Sequence, residues 1–334
     1  MSITRFEAPW LIFMGKTYDH IHAKTGYGLV DWRPEHCLAQ HRYPDSVADL
    51  GLAEMSPAEA AKAGAKSLVI GVAPVGGSLR PEWTQTLIDA IEAGLDIVSG
   101  MHSPLSCIPE LVEAAKQSGR RLIDIRKPPQ GIPAANGKKR SGKRLLMVGT
   151  DCAVGKKYTA LALHKAMSAA GLNATFRATG QTGIMIAGGG MPMDAVVSDF
   201  LSGAAELLSP DNDPDHWDVI EGQGSLFHPA YAAVTLGLMH GSQPDALVLC
   251  HQTGRLEIDE YPGYAIPSLK ECIRRYEEAA ALTNPAARVI ALSLNTRGMR
   301  EDEREAALAS GARETGLPCV DPVATGVEDI LEQL

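Results

Sequence analysis

Lysine at the end of a glycine-bounded loop is the side chain in this sequence best equipped to act on an anion. Lys156 sits in the run Gly149, Thr150, Asp151, Cys152, Ala153, Val154, Gly155, Lys156 and Lys157. Glycines let the backbone approach a ligand closely, N–H groups at a helix start carry partial positive charge, and the lysine adds a mobile cation. The chemistry implied is capture of a di- or triphosphate by those nine residues. Five residues separate the two glycines, and Lys157 occupies the place where a Ser or Thr normally offers a hydroxyl to magnesium. No metal site is read from the sequence, and metal-assisted phosphoryl transfer lacks its usual ligand. Thr159 is the nearest replacement hydroxyl, two positions late, and as a helical residue it is expected to pack.

Other groups fall into place around this loop. Asp218-Val219-Ile220-Glu221 is an apolar stretch ending in an acid, followed by Gly222-Gln223-Gly224. In a phosphate-loop protein an acid so placed coordinates metal or orients water, so Glu221 is a candidate catalytic carboxylate, with pairing to Lys156 as its structural alternative. His228 titrates near neutrality and is a candidate acid or base, against plain packing. Arg177, Gln181 and Thr182, interleaved with Gly180 and Gly183, form a donor-rich candidate pocket for a carboxylate. His251 to Arg255 is a second candidate substrate loop, balanced against ordinary turn chemistry. Gly188-Gly189-Gly190 is a turn or lid, and Asp321-Pro322 a strand-end turn.

These residues need strands and helices to hold them. Arg144–Val148 reads as a buried strand, and residues 156–170 carry helical apolar spacing at Ala160, Leu163, Met167 and Ala170 before the stop at Gly171. Strands are expected at 174–178, 218–221, 246–250, 289–294 and 318–321, alternating with helices. Upstream, 67–72, 95–98 and 121–125 read as strands and 81–93 as a helix, and Ser56-Pro57-Ala58-Glu59 is a capping box. Such alternation implies an α/β fold with a mainly parallel sheet in each half. Pro128, Pro129, Gly131, Pro133, Asn136 and Gly137 break both periodicities, and the basic run Lys138 to Arg144 reads as a solvated linker or else a local phosphate-facing patch. Two domains follow, 1–135 and 136–334. Ligands bind beyond the carboxyl ends of parallel strands, so the phosphate loop and the loops after Ala178, Glu221 and Cys250 are expected to share a cleft that the first domain helps close. In the first domain, the loops Gly71 to Gly77 and Gly100 to Pro104 are candidates for that closure.

Composition excludes some functions. With 334 residues, 45% hydrophobic and 21% charged, both domains can bury a core. A net charge of −9 gives no footprint for nucleic acid. No apolar run approaches the length of a membrane span, and Met1 to Pro9 lacks the apolar core of a signal peptide. The six cysteines form no CxxC pair, so neither a zinc ribbon nor a disulfide framework is indicated, and a reducing cytoplasm is expected. A homo-oligomer binding a small molecule, with no nucleic-acid or membrane partner, is the expectation.

The loop with Gly-Thr-Asp at its start resembles that of dethiobiotin synthetase and cobyric acid synthase relatives. Taken together, GTDCAVGKK, RATGQTG, DVIEGQGSLFHPAY and LCHQTGR, preceded by GVAPVGG and GMHSPLS, resemble the prokaryotic P-loop family associated with D-glutamate N-acetyltransferase activity over nearly the whole chain. The resemblance implies a Rossmann-like first domain, a P-loop NTPase-like second domain, acetyl-coenzyme A as donor and the amine of D-glutamate as acceptor. Acyl transfer requires no metal on a transferring phosphoryl group, which suits Lys157. Aminolysis of the thioester needs a neutral amine, for which Glu221 and then His228 are the candidate bases, with Gly-rich N–H groups for the oxyanion. Arg177, Gln181, Thr182 and Arg255 are the candidates for the two substrate carboxylates. The alternatives are an ATP- and magnesium-dependent kinase or carboxylate-activating ligase of the dethiobiotin synthetase type, and a nucleotide-regulated assembly protein without chemistry.

Overall fold

The computed structural model describes residues 6–17, 22–74 and 77–334. In chain order the elements are β1 (Trp10–Gly15), α1 (Lys24–Trp32), β2 (Cys37–Arg42), α2 (Pro57–Lys62), β3 (Ser67–Ile70), α3 (Thr84–Glu92), β4 (Asp96–Ser99), α4 (Pro109–Ser118), β5 (Leu122–Asp124) and β6 (Lys143–Gly149). They continue with α5 (Lys156–Ala169), β7 (Ala174–Arg177), α6 (Gln181–Ala187), α7 (Leu201–Leu208), β8 (Trp217–Ile220), α8 (Ala232–Ser242), β9 (Ala246–Gln252) and α9 (Leu269–Ala281). The last are β10 (Arg288–Asn295), α10 (Glu301–Thr315), β11 (Cys319–Val320) and α11 (Glu328–Leu331). Val75 and Gly76 of the expected GVAPVGG loop, and Met1 to Arg5 at the amino end, lie outside the described residues.

The chain forms two units that do not follow a single cut. One comprises the chain to Pro128 together with Gln181–Ala195, and the other comprises Pro129–Gly180 with Val196–Leu334. The first unit carries a parallel sheet in the order β2-β1-β3-β4-β5. Its interior strand β1 is a continuous apolar run with Leu11, Ile12 and Phe13 fully buried, and α3 turns Leu87, Ala90 and Ile91 inward at helical spacing. Neither β1 nor β2 was among the strands read from the sequence. Helix α2 begins at the expected capping box, in which Ser56 Oγ accepts the Glu59 N–H and Glu59 Oε2 accepts the Ser56 N–H at 2.8 Å.

The strand order of this sheet reverses direction between β1 and β3, where a crevice for a ligand normally opens. Helix α6, which follows β7 in the chain, packs here. Thr182 Oγ1 lies 3.1 Å from Thr25 Oγ1 in the first turn of α1, and Arg33 Nε donates to the Ile186 carbonyl at 2.9 Å. The Gln181 amide, oriented nitrogen towards the Gly100 carbonyl, donates to it at 2.8 Å and accepts from Arg126 Nη2 at 3.2 Å. A Cβ on Gly100 would stand 1.7 Å from the end of the Gln181 amide and 2.9 Å from Gln181 Cβ, so glycine is what admits this approach. Arg126 also donates to Asp194 at 2.6 Å.

The second unit is a six-stranded parallel sheet ordered β11-β10-β9-β6-β8-β7. Leu145, Met147, Val219, Val248 and Ala291 on its strands pack with Leu163 and Met167 of α5, all of them fully buried. Burying one such leucine contributes about 1.5–3 kcal/mol. In the basic run at the start of β6, Lys138, Lys139 and Lys143 are exposed as in a solvated linker, but the two arginines are not. Arg140 and Arg144 are buried: Arg144 donates to Ser209 Oγ at 2.8 Å and to the carbonyls of Arg140, Ser141, Gly142 and Pro210, while Arg140 donates to the Ser209 and Gly241 carbonyls. A guanidinium with five donors is suited to gathering carbonyls in this way, so the run ties the entry of β6 to the ends of α7 and α8. Among the described residues no helix is long and apolar enough to cross a membrane.

Candidate anion-binding site

Strand β6 lies where the order of the second sheet switches, with β9 on one side and β8 on the other. The loops after these three strands therefore meet at their carboxyl ends. The loop from Gly149 to Lys157 is shaped by glycine at both ends. A Cβ on Gly149 would meet Val154 Cγ2 at 2.8 Å and Lys156 Nζ at 3.0 Å, and Gly155 holds φ at 110°. Ala153 takes φ of 55°, a left-handed conformation that a residue with a Cβ rarely adopts. The N–H groups of Ala153, Val154 and Gly155 have no protein acceptor among the described residues. They precede α5, whose dipole adds to them.

Lys156 is buried, and its Nζ donates to the Asp151 carbonyl at 2.7 Å. Burial holds its pKa below the ordinary lysine value, against the opposing pull of Cys152, Cys250, Asp151 and Glu221. Negative charge placed in the loop would favour the ammonium that burial disfavours. Lys157 stacks its ammonium over the Tyr158 ring, 5.1 Å from the centroid. Thr159 is fully buried, its Oγ1 2.8 Å from Ser293 Oγ and 3.1 Å from the Gly155 carbonyl to which it donates, so its hydroxyl is engaged by protein partners.

Neighbouring elements brace the loop from three directions. From β9, Cys250 accepts the Thr150 N–H at 3.0 Å and His251 Nδ1 lies 2.8 Å from Thr150 Oγ1. Beyond β9, Arg255 donates to Asp151 Oδ2 at 2.8 Å, to the Cys152 carbonyl at 3.0 Å and to Gln252 at 2.7 Å. Asp151 is fully buried, and its carboxylate also accepts the N–H groups of Cys152 and Asp259. From α9, Tyr276 donates its hydroxyl to the Gly149 carbonyl at 2.7 Å and accepts the Leu226 N–H at 3.1 Å.

On the β8 side, Glu221 is buried and its Oε2 accepts the N–H groups of Thr179 at 2.9 Å and Gly180 at 3.1 Å. Its carbonyl accepts the Thr179 hydroxyl at 2.7 Å. The next residue is close to the loop lysine, since a Cβ on Gly222 would stand 3.0 Å from Lys156 Cδ. His228 is buried against the Tyr231 and Tyr261 rings, and its Nδ1 accepts the N–H groups of Ala230 at 3.1 Å and Tyr231 at 3.3 Å. A ring nitrogen of His228, the Cys152 thiol and an Asp151 carboxylate oxygen lie within 4.8 Å of one another.

The structure thus gathers Gly149 to Lys157, Glu221, His228 and Arg255 in one unit and gives the remaining candidates other partners. Arg177 donates to the buried Asp218 carboxylate at 2.7 Å. Gln181 and Thr182 belong to the first unit and bond there to Gly100, Arg126 and Thr25. Arg255 is spent on Asp151, a pairing the separation of 104 positions did not announce. Tyr276 and the Asp259 N–H were missed. Tyr276 sits in an amphipathic helix where an inward aromatic reads as core, and a backbone N–H leaves no mark in a sequence.

Residues 133–331 match the family described as "Domain of unknown function (DUF1611_C) P-loop domain", and residues 39–128 match "Domain of unknown function (DUF1611_N) Rossmann-like domain". A protein of Tritonibacter scottomollicae named D-glutamate N-acetyltransferase is 48% identical, covering 98% of each chain. One of Pseudoalteromonas sp with the same name is 44% identical, covering 99% of each. The crystal structure of a DUF1611 family protein from Anabaena variabilis superimposes with a TM-score of 0.87 at 35% identity, covering 97% of this chain and 98% of that one. Matched along both of its parts, the chain belongs to the DUF1611 family, a Rossmann-like domain joined to a P-loop domain.

Proposed function

We propose that the protein is a D-glutamate N-acetyltransferase that takes its acetyl group from acetyl-coenzyme A. The observation that carries this is full-length identity of 48% and 44% to two proteins of that name. In the reaction the substrate amine, neutral at the moment of attack, bonds to the thioester carbonyl carbon. The carbon–sulfur bond breaks, coenzyme A leaves as a thiolate that takes a proton, and the new amide nitrogen gives one up.

The loop suits the phosphate end of such a donor. It offers N–H groups at Ala153, Val154 and Gly155 with a buried ammonium at Lys156, and acyl transfer has no use for the hydroxyl that Lys157 replaces. Extended, the pantetheine arm spans roughly 15 Å between pyrophosphate and thioester, at about 1.2 Å per bond. Groups that touch the loop therefore work on the phosphates rather than the acetyl carbon. In this reading Glu221 organises the segment Thr179-Gly180, and Arg255 organises the loop through Asp151. The six cysteines are all free thiols, which fits a reducing cytoplasm where the donor is made and used.

Mass spectrometry of products after incubation with acetyl-coenzyme A and a panel of D- and L-amino acids tests the reading. N-acetyl-D-glutamate is expected. Turnover that requires ATP and releases ADP, with no acetylated amino acid, would overturn it.

A further inference from the structure

We infer that His228 is fixed as a neutral Nε2–H donor and that this N–H binds a phosphate oxygen of the ligand held by residues 149–157. The inference rests on the phosphate-end reading of the loop given above and assigns His228 a role that is neither acid nor base.

Two backbone donors fix the tautomer. Ala230 N–H at 3.1 Å and Tyr231 N–H at 3.3 Å both point to Nδ1, and a nitrogen receiving two N–H groups cannot carry a proton of its own. Neutral imidazole must then hold its proton on Nε2. Turning the ring over would set Cδ2 before both donors and leave them without an acceptor, so the same two N–H groups also fix the ring's orientation. Protonating Nδ1 would break both bonds inside a side chain that is only 3% exposed. Burial, the largest influence, disfavours the cation and outweighs its neighbours, among which Asp151 and Glu260 favour it and Lys156 opposes it.

Nε2 has no protein acceptor among the described residues. Nε2 is not sealed from solvent, so a ligand or water can complete it. The ring lies within 4.8 Å of Cys152 and Asp151, inside the same loop whose N–H groups and Lys156 await an anion. These three residues satisfy a metal by distance but not by lone pairs. Nδ1 is taken, Nε2 bears hydrogen, and Asp151 Oδ2 already accepts from Arg255 and Asp259. A phosphate oxygen is the acceptor that fits all the donors at once.

Two substitutions separate the structural half of the imidazole from the donating half. His228→Asn keeps an acceptor near the position of Nδ1 and removes Nε2–H, whereas His228→Gln keeps a donor near Nε2 and loses the acceptor. Calorimetric titration of the full-length protein with coenzyme A, ATP and inorganic pyrophosphate, alongside melting curves, reads both. His228→Asn should bind roughly tenfold or more weakly at a near-normal melting temperature, the scale of one hydrogen bond to an anion. His228→Gln should melt lower yet recover part of the affinity. Nitrogen NMR of ring-labelled histidine should show one proton, on Nε2, whose signal moves on ligand binding. Unchanged affinity in His228→Asn, an Nδ1-protonated ring, or an imidazolium in the complex would each overturn the inference. If Lys156→Ala loses binding and His228→Asn does not, the loop reading survives and the histidine role falls. If ATP or pyrophosphate binds and coenzyme A does not, the donor assignment falls and the histidine is judged on the ligand that binds. If none binds, the inference falls with the loop.

Discussion

Glu221 offers the sharpest division between a base and a clamp. Its Oε2 receives two buried N–H groups, at 2.9 Å from Thr179 and 3.1 Å from Gly180, and nothing else in the segment supplies those donors with an acceptor. In Glu221→Gln the amide oxygen can accept both, but the bonds lose their charge assistance. Halving two bonds of about 1.5–3 kcal/mol costs roughly 1.5–3 kcal/mol in all. Relayed fully to the ligand site, that is a ceiling near a hundredfold, and it should fall on coenzyme A affinity and turnover alike. Glu221→Ala orphans both donors, at about 1–3 kcal/mol each. For a unit of nearly two hundred residues this corresponds to a drop of roughly 5–20 °C in melting temperature. A general base behaves otherwise: its loss costs roughly 100- to 10,000-fold in turnover, leaves coenzyme A affinity and melting intact, and is relieved as rising pH deprotonates the amine without help. Steady-state kinetics across pH, calorimetry and melting curves on both variants read these differences. A Glu221→Gln enzyme with native affinity and melting but more than a hundredfold slower turnover, recovering in alkali, would refute the clamp.

Lys156→Met should weaken coenzyme A binding by roughly 1.5–3 kcal/mol in calorimetry yet melt no lower than the parent, because burial already holds the lysine pKa down and the charged form contributes no stability below its unfolded value. A large fall in melting with unchanged affinity would make Lys156 a structural residue. Burial depresses the pKa of His102, His228 and His251, so each contributes stability that is fully present above the unfolded value of about 6.5 and is lost as pH falls below it. Melting temperature should decline as pH drops from about 7 towards 5, and a flat profile would contradict the shifts. Acetyl transfer should persist in a strong chelator, since the thioester carbonyl needs only N–H donors, and complete loss restored by magnesium would reinstate a metal-dependent reaction.

The sequence displayed the second unit's fold well because β6, α5, β8 and β9 each combine an apolar run with a glycine-rich stop, and those signals are local. The first strand of the chain was harder to read. Trp10–Gly15 is apolar throughout, so alternation could not separate a buried strand from a buried helix. The site was legible where one segment contains all its parts, as in residues 149–157. Partnerships across the sequence were not. Arg177 and Arg255 look equally available as residue types, and only the folded chain shows them engaged by Asp218 and Asp151. His228 shows the same limit in reverse: its imidazole suggests proton transfer, whereas two backbone N–H groups from the following turn decide its tautomer.

The excursion of residues 181–195 into the first unit also sets a timetable for biosynthesis. A domain emerging from the ribosome ordinarily folds once its last residue is free, and here the continuous part of the first unit ends at Pro128. The threonine and glutamine that fill its crevice arrive more than fifty residues later. At about 5–20 residues per second the nascent sheet waits several seconds with its carboxyl edge uncovered. Expressing residues 1–135 alone would make that interval permanent, leaving an aggregation-prone fragment. Supplying 181–195 behind a flexible linker should make the same fragment soluble.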